Sequence, residues 1–359
     1  MSHAAVVFSR RVLLRCAVSG RYEARPAAVY IGVDGRISDV VSCESPPVLH
    51  CATLGGNDTV RASSSRQEAA AALHHHPPRS SVHDLGDALV TPAFVNAHTH
   101  TPMHAFRGIG KASELQNNVV EDLFYRLESA LQPGDVRAFA RMGAFENLLS
   151  GVGTVWEHYY GGLEPAEAFR DVGICAVVSP TLQDLSGPGV ATMEAEWQAT
   201  LELIGDGNNE QRTGDVGGSG SFQQAGIVGA MGPHATDTVS DELWRRVVDT
   251  AAALQVPIHC HVAQSVEEYE RSMARHGCSP VERLHRLGVL DAGVSPSATP
   301  SVLIVHNLFA NDNDLRILRD AHEAAVTAAT AGTASGSGVA MVLCPHAQAQ
   351  FGFVAHFGR

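Results

Sequence analysis

Residues 89–100 read LVTPAFVNAHTH: an apolar run interrupted by Thr-Pro that ends in two histidines one residue apart. Side chains two apart on a strand point to the same side, so if this run is a strand, His98 and His100 project together from its C-terminal end. A lone pair of this kind also arises by chance, and exposed histidines are common. Its weight depends on what the other strand ends carry.

Downstream, apolar runs alternate with amphipathic stretches. The runs fall at 153–156, 175–179, 227–231, 257–262, 301–305 and 339–343, and helical periods at 119–131, 136–149, 192–203, 241–254, 265–276 and 313–324. Strand-then-helix order at this spacing predicts a parallel sheet, and the number of units favours a closed TIM-like (β/α)8 barrel in an α/β fold. In such barrels function gathers at the C-terminal strand ends. The run VPIHCH at 256–261 ends in two more same-facing histidines, His259 and His261, and LIV at 303–305 ends at His306. Several unpaired imidazoles in one barrel mouth are costly to bury, whereas a divalent cation gives them a shared partner.

The remaining sequence bounds what surrounds this barrel. Residues 27–41 alternate apolar and polar about Asp34-Gly35, the signature of a hairpin, and residues 1–90 are expected to form a small N-terminal β-sandwich module ahead of a barrel at 91–359. Low-complexity text at about 51–82, 205–224 and 326–338 has no regular period and is expected to be inserted loop, the first disordered; its histidines 74–76 read as solvated linker. The chain has 359 residues, 45% hydrophobic and 18% charged, which suits a globular protein with a large core. A formal net charge of −13 without a basic stripe argues against a nucleic acid polymer as partner, and no apolar run is long enough for a membrane helix. Seven cysteines without a C-x-x-C pair disfavour a disulfide scaffold and fit a reducing, cytoplasmic setting. Arg10, Arg11, Arg15 and Arg21, with no acid among the first 22 residues, would also suit a mitochondrial leader. A homodimer is compatible with all of this.

Five segments resemble the amidohydrolase superfamily in its deaminase and chlorohydrolase branch: TPAFVNAHTHTPMHAFRG (91–108), MGPHATDTVSDEL (231–243), HCHVAQSVEEYE (259–270), LIVHNLFANDNDLRIL (303–318) and MVLCPHAQAQFGF (341–353). The resemblance implies that His98, His100 and His261 bind one divalent metal, zinc first and iron second, which activates water. It further implies that His306 touches that water and the attacked carbon, that His234 orients the substrate ring, and that Arg107 and Glu128 contact substrate, a solvated helix face being the other reading of Glu128. The substrate implied is a small purine, pyrimidine or triazine-like ring losing an amino group by C–N hydrolysis. In GVGTVWEHYY (151–160), Glu157, His158 and Tyr159 fall just beyond a strand. They line the pocket, or Glu157 pairs with a neighbouring basic residue; an aromatic pair beside a metal suits a flat ring.

Two positions depart from that pattern. Relatives of this branch carry a proton-shuttling glutamate where this chain has Gln264, and an amide exchanges no protons at neutral pH. Gln264 keeps a hydrogen-bonding role, and the shuttle is unassigned. The family's aspartate, the last metal ligand, follows the C-P segment, so the resemblance implies a barrel short of its last unit or units. Two readings follow: a metal-dependent aminohydrolase, or a catalytically inactive remnant that binds ligand or related subunits. A binuclear site of the cyclic-amide type is disfavoured, because the sole lysine, Lys111, lies close after the first barrel strand.

Overall fold

The computed structural model describes residues 3–15, 20–32, 36–47, 81–109, 119–205, 222–291, 301–332 and 338–350. The Asp34-Gly35 turn, Lys111, histidines 74–76, nearly all of the 51–82 insertion and most of 205–224 lie outside them. The chain divides into two compact units, Met1–Pro92 and Ala93–Arg359.

In the first unit β1 (His3–Arg15), β2 (Tyr22–Gly32), β3 (Ile37–Ser42), β4 (Ser81–Asp84) and β5 (Leu89–Val90) form one sheet of order β3-β2-β1-β4, with β5 also on β1. β2 and β3 are antiparallel, with Ala27 opposite Ser42, as the alternating text requires. A sandwich needs two layers; the described residues make one, with Val6, Phe8 and Ala28 buried on it.

The second unit is built on parallel strands: β6 (Phe94–Thr99), β7 (Val152–Tyr159), β8 (Cys175–Leu182), β9 (Ile227–Gly229), β10 (Gly232–Pro233), β11 (Ile258–Val262), β12 (Ser301–His306) and β13 (Gly338–Val342). β6, β7 and β8 pair in sequence, β9 and β10 both continue β8, and β11, β12 and β13 follow. Parallel bridges from Met231 to Ile258 and from Ala235 to His261 join the two groups into one run. That run curls: His98 on β6 touches His259 on β11, although β7, β8 and β9–β10 lie between them in the sheet.

Helices cover the outside of this run. They are α1 (Pro133–Leu149), α2 (Glu164–Val172), α3 (Met193–Gly205), α4 (Asp241–Leu254), α5 (Val266–His276), α6 (Pro280–Arg286), α7 (Asp312–Thr330) and α8 (Pro345–Gln350). Their ends are written locally. Ser240 and Ser265 accept from backbone N–H groups of the first turns of α4 and α5, and α5 stops at Gly277 with φ +65°. Asn311 and Asp314 form a reciprocal capping box on α7. α7 also corrects an expectation, because it runs on through 326–330. The alanines of that stretch read as low complexity, but alanine has the highest helix propensity, and Ala325 is buried.

The largest core lies between β11–β12 and the helices, with Trp244, Ile258, Cys260, Val262, Leu284, Val302 and Ile304 in one cluster. On β11 this places Ile258, Cys260 and Val262 against the helices and turns His259 and His261 to the inner side.

Candidate functional site

Strand alternation positions His98, His100 and His261, and their outward ring nitrogens are fixed. His100 Nδ1 meets the backbone carbonyl of His158, and His261 Nδ1 lies 2.9 Å from the carbonyl of His234. A carbonyl only accepts, so both rings carry their proton on Nδ1, and both Nε2 atoms are bare lone pairs. Those two lone pairs face each other at 3.3 Å, and His98 Nε2 lies 3.1 Å from His100 Nε2 and 3.2 Å from His261 Nε2.

Lone pairs so placed repel unless they share an electrophile. Three ligands at about 2.0–2.1 Å in a tetrahedron stand about 3.3 Å apart, close to this triangle, so the donor set fits a zinc-sized divalent cation. His306 joins His98 and His261 in a looser group whose nitrogens lie within 4.8 Å of one another.

The aim of His306 is not set by alternation. Val302 and Ile304 of the same strand face the helices, and His306 shares their parity. Its φ of +79° redirects the side chain into the cavity, where its ring stacks on His261 with centroids 5.4 Å apart. A left-handed non-glycine residue costs about 1–2 kcal/mol. Here that cost turns an imidazole from the core side to the barrel mouth.

Burial holds these rings neutral at pH 7. Desolvation, with help from neighbouring imidazoles, pushes His98, His158 and His261 well below the ordinary histidine range, lowers His100, and brings His234 to about 3 and His306 to about 4. Neutral imidazoles are ligands and hydrogen-bond partners, which is what a cation site needs.

The cavity in front of the triangle has a volume of about 1130 Å³. His98, His100, His158, His234, His261, Gln264 and His306 line it, opposite a wall made by a π-helical turn (Val120–Phe124) that passes into a short α-helix (Tyr125–Glu128). Phe124, Tyr125, Tyr159 and Tyr160 supply flat apolar surface there, and Glu128 a carboxyl group that burial pushes up to about 7. Arg271 ties this wall to α5, pairing with Glu121 and, at 2.9 Å, with Asp237.

Two residues expected at the substrate stand elsewhere. Arg107 is exposed and pairs with Glu146 of α1, because the turn after His100 carries it outward along the surface; it does not line the cavity. Glu157 is fully buried and pairs with no base among the described residues. Its carboxylate accepts from the Thr101 backbone N–H and hydroxyl at 2.8–3.0 Å, and so clamps the chain leaving β6.

From sequence parity alone, His259 is only a same-facing neighbour of His261. It reaches His98 Nδ1 with its Nε2 at 2.9 Å and Ser179 Oγ with its Nδ1 at 3.1 Å. The H-x-H spacing carried the signal; the partner on β8 did not show in the sequence. Glu267 also lines the cavity, whereas Glu268 is buried beneath it, bound by the Gln264 backbone N–H and the Thr236 hydroxyl. The five cysteines among the described residues are free.

Residues 89–347 match the amidohydrolase family. The chain is 31% identical over 242 residues to the 5'-deoxyadenosine deaminase of Methanothrix thermoacetophila, covering 67% of this chain and 51% of that one. It is 30% identical over 214 residues to the 5-methylthioadenosine/S-adenosylhomocysteine deaminase of Moorella thermoacetica, covering 60% and 46%. The chain thus spans about half the length of these curated relatives.

Its fold is shared with the crystal structure of a zinc-bound adenosine deaminase from Xanthomonas campestris, at TM-score 0.65 and 21% identity, over 97% of this chain and 64% of that one. A guanine deaminase from C. acetobutylicum with bound guanine gives 0.63 and 14%, over 97% and 69%. With a family match that spans most of its length, from the last strand of the first unit to α8, this chain belongs to the amidohydrolase family.

Proposed function

We propose that this chain is a metal-dependent aminohydrolase that removes an exocyclic amino group from a small purine-like ring, in a cytoplasmic setting. The observation that carries the reading is the triangle of Nε2 atoms, two of them forced by backbone carbonyls to present lone pairs 3.3 Å apart. The deaminase names of the relatives support the bond class. A cation bound there, zinc in preference to iron, supplies a water whose pKa falls toward 7.

The chain's own groups do the rest. Overall, water gives its oxygen to the ring carbon and one proton to the amino group as the C–N bond breaks, and the amino group leaves as ammonia. His234 and His306, neutral at pH 7, hydrogen-bond the ring and the attacked position without bringing charge. His158 lines the floor beneath the ring, and the Gln264 amide is placed to bind a ring nitrogen or carbonyl. Tyr125, Tyr159 and Phe124 offer flat surfaces for the heterocycle.

Gln264 cannot move protons. Glu128 lines the same cavity, and burial pushes its carboxyl up to about 7, a range suited to acid–base work at neutral pH. We assign it that work.

The test is ammonia release by the 359-residue chain, loaded with zinc, from 5'-deoxyadenosine, 5-methylthioadenosine, S-adenosylhomocysteine, guanine and an amino-triazine. Release from at least one purine is expected. A zinc-loaded chain that releases none from any of them contradicts the reading.

A further inference from the structure

We infer that His259, backed by Ser179, is the positioning residue that makes His98 a metal ligand. The inference rests on the metal reading above and concerns how one corner of the triangle is aimed.

The three ligands are not held alike. Backbone carbonyls, which can only accept, fix the Nδ1 protons of His100 and His261. Among the described residues no carbonyl meets the His98 ring in this way. Its Nδ1 faces the Nε2 of His259 at 2.9 Å. For His98 to offer a lone pair at Nε2, its proton must sit on Nδ1, so His259 Nε2 must accept. The proton of His259 then sits on Nδ1, where Ser179 Oγ accepts it at 3.1 Å. One arrangement of protons satisfies the whole chain.

The reverse arrangement, in which Ser179 donates to His259 and His259 donates to His98, would put the His98 proton on Nε2 among the facing lone pairs. The tautomer of His259 therefore selects between a ligand and a blocked ring.

The surroundings leave this relay little freedom. His259 and Ser179 are both fully buried. The His259 ring is enclosed edge-to-face by Trp156 at 5.6 Å and His158 at 5.2 Å between centroids. His98 meets it edge-on as well, at 5.0 Å. Outer partners of ligating histidines fix ring orientation and tautomer, and losing one costs about 10–100-fold in metal affinity.

The experiment is competition between the chain and a zinc chelator, with variants whose fold is checked by circular dichroism in the absence of metal. His259→Phe, which keeps the ring and deletes the acceptor, is expected to weaken zinc binding by about 10–100-fold. His259→Gln, whose Oε1 falls near the lost Nε2, is expected to recover most of it, and Ser179→Ala to weaken binding by less than His259→Phe. Nitrogen-15 spectra of the zinc-loaded unsubstituted chain give a reading that needs no variant: His259 is expected to carry its proton on Nδ1.

A His259→Phe chain that is folded and binds zinc as the unsubstituted chain does, or a His259 proton found on Nε2, overturns the inference alone. An unsubstituted chain that takes up no zinc overturns the metal reading and this inference with it.

Discussion

The floor of the cavity is made of strand ends and the wall beside Tyr159 of a helical segment, and they hold their polar groups in opposite ways. On the floor, the rings of His98, His100 and His261 are fixed at the far nitrogen, and burial lowers their proton affinity. On the wall, burial raises the proton affinity of Glu128 to about 7, and the neighbouring Tyr159 hydroxyl draws it back only in part. The same desolvation thus keeps the floor imidazoles uncharged and favours the protonated form of the wall carboxyl. One physical cause, acting on bases and on acids, yields neutral imidazoles on one surface and a carboxyl near neutrality on the other.

The largest effect should come from the floor. His98→Ala or His261→Ala removes a corner of the triangle, and each variant is expected to lose zinc on dialysis and to fall more than about 10³-fold in ammonia release, as loss of metal stabilisation implies. Measurements of metal content and rate on the same samples check this.

On the wall, Glu128→Gln keeps the shape and removes the exchangeable proton. The expected loss is about 10²–10⁴-fold in kcat with zinc retained. A variant that loses activity through KM alone would place Glu128 in binding only.

The buried histidines and the buried carboxyl groups also bend stability in opposite directions with pH. The buried histidines have folded pKa values below the ordinary 6.5, so the stability they bring is present above 6.5 and is lost as pH falls toward 4 and 3. Glu128, Glu157 and Glu268 have folded values raised from 4.5 to about 7, 8 and 7, so their contribution is present below 4.5 and is lost as pH rises toward 7–8. Seven lowered histidines, His98, His100, His158, His234, His259, His261 and His306, oppose these three acids, and the melting temperature of the metal-free chain is expected to peak near neutral pH. Glu157→Gln should flatten the alkaline side of that peak.

The smallest effect is expected at Arg107. It is exposed and bound to Glu146, and Arg107→Ala should change kcat/KM by no more than about twofold, as surface pairs contribute little.

What could be read from the sequence follows the same division. The floor was legible because a period of two is a local rule: HTH at 98–100 and HCH at 259–261 announce same-facing rings wherever those segments are strands. The parallel order of the sheet was legible from strand-then-helix alternation. Other features depended on partners distant in sequence. His306 required a positive φ to escape the parity of Val302 and Ile304, which no pattern of residue types records. Glu157 is matched to Thr101, 56 residues away, and Ser179 to His259, 80 away. Arg107 sits close after His100 in sequence, yet the chain turns outward between them. In α7, the run at 326–330 looked like linker because its alanines carry little amphipathic period, although they extend a helix already capped at Asn311.

The metal triangle itself is open to one decisive reading: zinc content and zinc K-edge absorption of the purified 359-residue chain. The geometry predicts one zinc per chain, with histidine nitrogens at about 2.0–2.1 Å, and loss of that signal in His261→Ala. Well under one equivalent after incubation with zinc, or a bound zinc that survives unchanged in His261→Ala, would contradict it.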